Sequence, residues 1–213
     1  GSEMCIRDRY KIGVLMLLVV NGFNMGWQPY FLEKSFDSRN KVYPRIISIV
    51  MAILGFIWLL LLFWADDLIQ TSFLGMTFFG SDFFESLHIV PWIALSYLFY
   101  GFYHLQTPGV FLKNRAKYAA WTRFFGAILN IGLCFYLIPV YGAMGAAYAT
   151  CISFGFMALL MYCINRYLIS VKLELKNLSI IFLSLILSYL GFSIYEDSCL
   201  LYTSPSPRDA HKS

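Results

Sequence analysis

Three residues in the first long apolar run, Asn21, Asn24 and Gln28, fall at positions i, i+3 and i+7, which places their amides on one face of a helix. A helix surrounded by hydrocarbon gains nothing from such a stripe, so the amides face other helices or a wet cavity. Two roles fit: interhelical hydrogen bonds, worth about 0.6 kcal/mol each, and cavity lining. A second stripe, Tyr97, Tyr100 and His104, repeats the spacing and leads into Gln106, Pro108 and Gly109. A histidine inside a span is a candidate for substrate contact or proton transfer. Hydrogen-bonded packing is the competing role, because no carboxylate accompanies it. Arg123 stands about one turn inside another run, with Asn130 seven residues further along the same face. Its guanidinium either snorkels to the interface or turns inward as a planar donor fork suited to phosphate.

These side chains need elements to hold them, and six apolar runs supply them. Residues 12–32, 46–65, 89–112, 119–140, 143–164 and 178–195 are each about 18 to 24 residues long, against roughly 20 for a helix that crosses a bilayer. The chain therefore reads as an all-α, polytopic transmembrane helix bundle of about six spans. Composition leads to the same class: 59% of the 213 residues are hydrophobic and 13% charged, with a mean hydropathy of +0.65, far from a water-soluble domain.

Basic residues fill only alternate gaps between the runs. Lys34, Arg39, Lys41 and Arg45 lie in the first, Lys113, Arg115 and Lys117 in the third, and Arg166, Lys172 and Lys176 in the fifth. Short loops rich in Lys and Arg stay cytoplasmic, so loops 33–45, 113–118 and 165–177 are expected inside and the first span is expected to run inward. That distribution accounts for the net charge of +4 without a basic patch, which argues against a nucleic-acid partner. At about 1.5 Å per residue, Asn24 and Asn130 fall near mid-bilayer, and Gln28, His104 and Arg123 in the inner half. A polar lining built from them opens toward the cytoplasm.

The remaining features read as structural. Trp58 and Trp64 are expected as interfacial anchors in an otherwise aliphatic and aromatic second span. The acidic, Phe-rich connection Asp66–His88 reads as a segment in the outer headgroup region. After Pro139 and a turn at Tyr141 and Gly142, the residues Gly142, Gly145, Ala146, Ala149, Thr150 and Ser153 form a small-residue face for close helix packing. Cys134, Cys151 and Cys163 read as small buried hydrophobes, since no metal-ligand or CxxC spacing appears. No metal, cofactor or catalytic residue is expected. The ends, GSEMCIRDR at 1–9 and CLLYTSPSPRDAHKS at 199–213, differ sharply from their neighbours and resemble translated sequencing-adapter remnants. The expected native bundle is 10–198.

The stretch NGFNMGWQPYFLEKS (21–35), together with KNRAKYAAWTRFFGAILNIGLCFYLIPVYGAMGAAYATCIS (113–153), resembles the polysaccharide and O-antigen-type flippases of the multidrug/oligosaccharidyl-lipid/polysaccharide exporter superfamily. Similar stretches run from about Tyr10 to Tyr195. The resemblance implies a two-lobed bundle of 12 to 14 spans whose cavity opens alternately to either side, with this chain in the second lobe and a missing N-terminal lobe as its partner. An inward-running first span agrees with an even-numbered span of that layout. The implied activity is flipping of an undecaprenyl-pyrophosphate-linked oligosaccharide across the bacterial cytoplasmic membrane for surface polysaccharide or lipopolysaccharide biosynthesis. Asn21, Asn24 and Gln28 would then bond sugar hydroxyls, Tyr97, Tyr100 and Trp121 would stack on sugar rings, and Arg123 would attract the pyrophosphate. A cation-coupled multidrug exporter of the same superfamily is the alternative, against which stands the absence of Asp or Glu from the six runs. A membrane-embedded acyl- or glycosyltransferase using His104 as a base fits less well, because no nucleophile or carboxylate partner is in view.

Overall fold

Hydrocarbon offers no water to a peptide group, so each apolar run must satisfy its backbone internally, which an α-helix does within one segment. A computed structural model of the chain describes residues 2–33, 36–70, 89–169 and 175–203, with side chains described over 16–33, 42–64, 89–168 and 176–192. Six helices each include one of the apolar runs: α1 Ser2–Glu33, α2 Phe36–Gln70, α3 Val90–Leu112, α4 Lys117–Tyr141, α5 Ala143–Ile169 and α6 Leu175–Thr203; α1, α2 and α6 extend well beyond their runs, and α2 takes in most of the connection expected at 33–45. No strand occurs among the described residues. Residues 71–88 of the acidic connection, residues 204–213, and the side chains of both ends, Lys34, Arg39, Lys41 and Lys172 lie outside the described residues.

By length and apolarity alone, Val42–Trp64, Lys117–Tyr141 and Ala143–Leu168 can each cross a membrane, and Lys176–Phe192 is a shorter apolar stretch. α3 has the length, at 23 residues, but Ser96, His104, Gln106 and Thr107 dilute its apolarity, and all four are buried. Polar groups persist in a span where neighbouring helices cover them. The chain is a multi-pass membrane protein with an all-α bundle fold.

α3 is the centre of the bundle, packed against α5, α1 and α2, while α4 packs on α5 and α6 on α2. Every residue from Gly101 to Val110 is buried. α1 presents Met16, Val20, Trp27 and Phe31 to the core, and α2 presents Tyr43, Ile47, Val50, Leu54, Trp58 and Leu62, each set at the three-to-four-residue spacing of one helix face. The opposite face of α2, with Ile49, Ile53, Phe56 and Phe63, is exposed yet equally apolar, as a lipid-facing surface requires. Trp58 departs from the expected interfacial position. It is 3% exposed, and its Nε1–H donates to the Pro91 carbonyl at 2.8 Å, tying α2 to the first turn of α3. Trp64 is exposed.

Close approach between helices is set by glycine. A Cβ at Gly101 would meet Leu54 at 2.7 Å and Val20 at 3.1 Å, so its missing side chain lets α1, α2 and α3 converge. On α4, a Cβ at Gly126 would run into the Met157 side chain of α5. At the α4–α5 turn, a Cβ at Gly145 would strike the Leu137 carbonyl. Within the expected small-residue face, Gly145 and Ala149 are buried and Ala146 and Thr150 half-buried. The Thr150 and Ser153 hydroxyls donate to the carbonyls of Ala146 and Ala149. Gly142 serves the turn instead: it is exposed, with φ at 57°, and its N–H donates to Ile138 O at 2.8 Å, a helix end that favours glycine. Of the cysteines, Cys151 is buried, Cys134 is half-buried and Cys163 is exposed, so burial as expected holds fully only for Cys151.

Candidate functional site

Asn24 lies on the α1 seam between Val20 and Trp27, so the packing of α1 on α3 carries its amide toward α3. There its Nδ2 lies 3.3 Å from Nδ1 of His104. His104 is 8% exposed, and the edge of its ring meets Tyr100 with centroids 4.4 Å apart. Tyr100 in turn packs on Phe154 of α5 at 4.9 Å, as does Tyr97 at 6.3 Å. The second stripe therefore forms a continuous aromatic wall between α3 and α5. His104 has a polar partner after all, and it is an amide from another helix.

One turn further along, Pro108 has no N–H for the His104 carbonyl, and side-chain donors reach the next two carbonyls. Trp27 Nε1–H donates to Leu105 O at 3.1 Å, and Asn165 Nδ2–H donates to Gln106 O at 2.8 Å. Gln106 Nε2 donates to Phe102 O at 3.1 Å and across to Ala158 O of α5 at 3.3 Å. Among the described residues, four buried side-chain atoms along this seam have no partner: Asn24 Oδ1, His104 Nε2, Gln106 Oε1 and Asn165 Oδ1. Unpaired acceptors and donors in a buried position cost free energy; two of the four stand on α3 and the other two on α1 and α5, which pack against it.

On the α4 side, Arg123 Nε–H donates to the Tyr103 hydroxyl at 3.1 Å, and the guanidinium carbon sits 5.7 Å from the ring centroid. Tyr103 is fully buried and stacks near Tyr100 with centroids 6.2 Å apart. Asn24, His104, Tyr100, Tyr103 and Arg123 thus form one chain of contacts from α1 across α3 to α4. Arg123 is exposed, and among the described residues its Nε alone is engaged in a hydrogen bond.

The structure gathers Asn24, Tyr97, Tyr100, His104 and Arg123 into this seam. Gln28 is half-buried and Asn21 exposed, flanking Asn24 on its helix. Trp121 stands apart on the outer face of α4, 53% exposed and stacked on Phe125 at 5.7 Å. Asn130 is half-buried, and its Oδ1 accepts from Cys134 Sγ of its own helix at 3.8 Å. Tyr103 and Asn165 are additions that the stripes did not single out. Tyr103 follows Tyr100 by three residues, a spacing that could have drawn attention to it, whereas the partner of Asn165 is 59 positions away.

The chain is a multi-pass helical bundle with a buried polar seam that runs from Asn24 to Arg123. The family described as lipid II flippase MurJ matches residues 33–200, most of the chain, from the end of α1 through α6. The chain belongs to this flippase family. No curated protein and no solved structure gives a match.

Proposed function

We propose that this bundle is one lobe of a bacterial cytoplasmic-membrane flippase that moves an undecaprenyl-pyrophosphate-linked glycan from the inner to the outer leaflet. The family match over residues 33–200 carries the reading. Because that family is described as a lipid II flippase, a peptidoglycan precursor is favoured over an O-antigen oligosaccharide as the cargo, and a flippase is favoured over a cation-coupled drug exporter. The bundle acts without making or breaking covalent bonds. Charged and polar headgroups pay several kcal/mol or more to enter hydrocarbon, and a polar path through the bundle lowers that barrier while the lipid tail stays in the bilayer. Asn21, Asn24 and Gln28 offer amides to sugar hydroxyls, Tyr97 and Tyr100 offer ring faces, and the guanidinium of Arg123 offers a fork to pyrophosphate.

The test uses full-length protein in proteoliposomes loaded with either lipid II or an O-antigen-type undecaprenyl-pyrophosphate oligosaccharide. Lipid II should cross faster, and Arg123→Ala and Asn24→Ala should each slow it. Equal transport by both variants and the unaltered protein would remove the site assignment, while transport of the O-antigen substrate alone would overturn the choice of cargo.

A further inference from the structure

The turn between α3 and α4 gathers cations that no nearby carboxylate answers. Lys113, Arg115 and Lys117 are all exposed, and α3, α4 and α5 contain no Asp or Glu. Backbone hydrogen bonds fix the turn: Asn114 N–H donates to Phe111 O at 2.9 Å, Arg115 N–H to Val110 O at 3.0 Å and Tyr118 N–H to Arg115 O at 3.0 Å. Lys117 Nζ lies 5.7 Å from the ring centroid of Tyr118, a contact that leaves its charge without a counter-ion.

Lys117 also heads one face of α4. At about 100° per residue, Lys117, Trp121, Phe124, Phe125 and Ile128 fall within an arc of about 100°, and the four apolar residues among them are exposed. The buried Ala119, Thr122 and Gly126 take the opposite side, and Arg123 lies outside both arcs. Trp121 stacks on Phe125 at 5.7 Å and meets Phe124 edge-on at 5.8 Å, so the rings form one continuous apolar surface below the cation. From Lys117 to Ile128 this face runs about 16 Å along the helix, close to the depth of one leaflet, half of a hydrocarbon core about 30 Å thick.

A free phosphate would engage the turn and leave the aromatic face unused. A zwitterionic lipid would cover the face and gain little from three uncompensated cations. An anionic phospholipid uses both. We propose that the α3–α4 turn and this face of α4 bind one anionic phospholipid, its phosphate on the turn's cations and an acyl chain along Trp121, Phe124, Phe125 and Ile128. Basic residues beside a membrane span attract anionic headgroups, and the leaflet is the cytoplasmic one expected from the loop charges. The site depends on neither the cargo nor the polar seam.

The experiment uses the full chain in nanodiscs of phosphatidylcholine, with a small equal fraction of either phosphatidylglycerol or phosphatidylcholine that carries a diazirine on its acyl chain. After photolysis, peptide mass spectrometry reads where each lipid attaches. Both leaflets have the same composition, so the result is independent of orientation. Phosphatidylglycerol should label the segment 121–128 about tenfold or more above phosphatidylcholine. Lys117→Gln should lower that ratio about fivefold, and Lys117→Arg should keep it. Trp121→Ala should reduce labelling by both lipids and leave their ratio unchanged, because the ring seats the chain and the cations select the headgroup. Equal labelling by the two lipids in the unaltered chain overturns the proposal, as does an excess that persists in a Lys113→Gln, Arg115→Gln, Lys117→Gln variant. Loss of the excess on adding inorganic pyrophosphate at matched ionic strength also overturns it, in favour of free phosphate on the turn.

Discussion

Arg123 on α4 gives its Nε–H to the hydroxyl of Tyr103 on α3 at 3.1 Å, and the two residues sit at opposite extremes of exposure. Tyr103 is fully buried and Arg123 is exposed. A rigid side chain therefore holds one edge of a flexible cation and leaves its terminal nitrogens outside that hydrogen bond. Holding a guanidinium by Nε reduces the freedom that an anion must otherwise remove on binding.

Tyr103→Phe keeps the ring and the packing but removes the acceptor for Nε. If Arg123 binds pyrophosphate, the loss of about 1 kcal/mol of preorganisation should raise the apparent KM for the lipid-linked substrate roughly fivefold. The maximal rate should stay within about twofold, since the phenylalanine ring fills the same space. Arg123→Lys should weaken binding further, because an ammonium cannot reproduce the planar fork. A proteoliposome transport assay over a range of substrate concentrations separates the two parameters. An unchanged KM in Tyr103→Phe, alongside a raised one in Arg123→Ala, would detach the tyrosine from the site.

The glycines at the α4–α5 interface should differ by the kind of atom they face. A methyl at Gly145 meets the Leu137 backbone carbonyl, whereas one at Gly126 meets the Met157 side chain. A thioether can swing aside and a helix backbone cannot. Gly145→Ala should therefore destabilise by about 2 to 3 kcal/mol and Gly126→Ala by about 1 kcal/mol or less. Gly132, with nothing within 4 Å of its Cβ position, is the control: Gly132→Ala should stabilise by up to about 1 kcal/mol through helix propensity alone. Thermal unfolding in detergent orders the three, and Gly126→Ala as the worst of them would contradict the packing described.

Trp27 links α1 to the weakened part of α3. It is 4% exposed and its indole N–H donates to Leu105 O, three residues before Pro108. Trp27→Phe removes a buried hydrogen bond and part of a ring, and a loss of about 2 kcal/mol is expected. The same assay reads it as a lower unfolding temperature. A neutral result would mean that the Leu105 carbonyl is served equally well without the indole.

The six helices were legible in the sequence because a span must be a nearly unbroken apolar run, and that requirement is local. The seam was legible only in halves. Asn24 and His104 each stood out as amide or imidazole in hydrocarbon, but their pairing joins residues 80 positions apart, and no periodicity reports which helix lies beside which. Trp58 shows the same limit from the other side. An indole reads as an interfacial anchor when only its own span is considered, yet the Pro91 carbonyl on α3 gives its N–H a partner inside the bundle. Trp121 shared a cytoplasmic-end position with Arg123, but two residues along a helix turn a side chain about 200°, which puts the ring on the far face of α4 from Tyr103.

The alternation of basic loops makes a prediction that depends on none of these contacts. α4 is 25 residues long, about 38 Å at the helical rise, enough to carry its two ends to opposite sides of a hydrocarbon core about 30 Å thick. The α3–α4 turn holds exposed Lys113, Arg115 and Lys117 around Asn114 at φ 52°, and the α4–α5 turn at Gly142 holds no charge. The first turn is therefore expected in the cytoplasm and the second outside. In a full-length chain otherwise free of cysteine, Arg115→Cys should react with a membrane-impermeant maleimide only in inverted vesicles, and Ala143→Cys only in intact cells. Arg115→Cys leaves two basic residues in its loop, so the substitution does not remove the signal under test. Labelling of both positions from one side would mean that α4 does not cross the membrane, while a full exchange of the two results would invert the orientation and place Arg123 at the outer mouth of the seam, where it could not receive a pyrophosphate arriving from the cytoplasm.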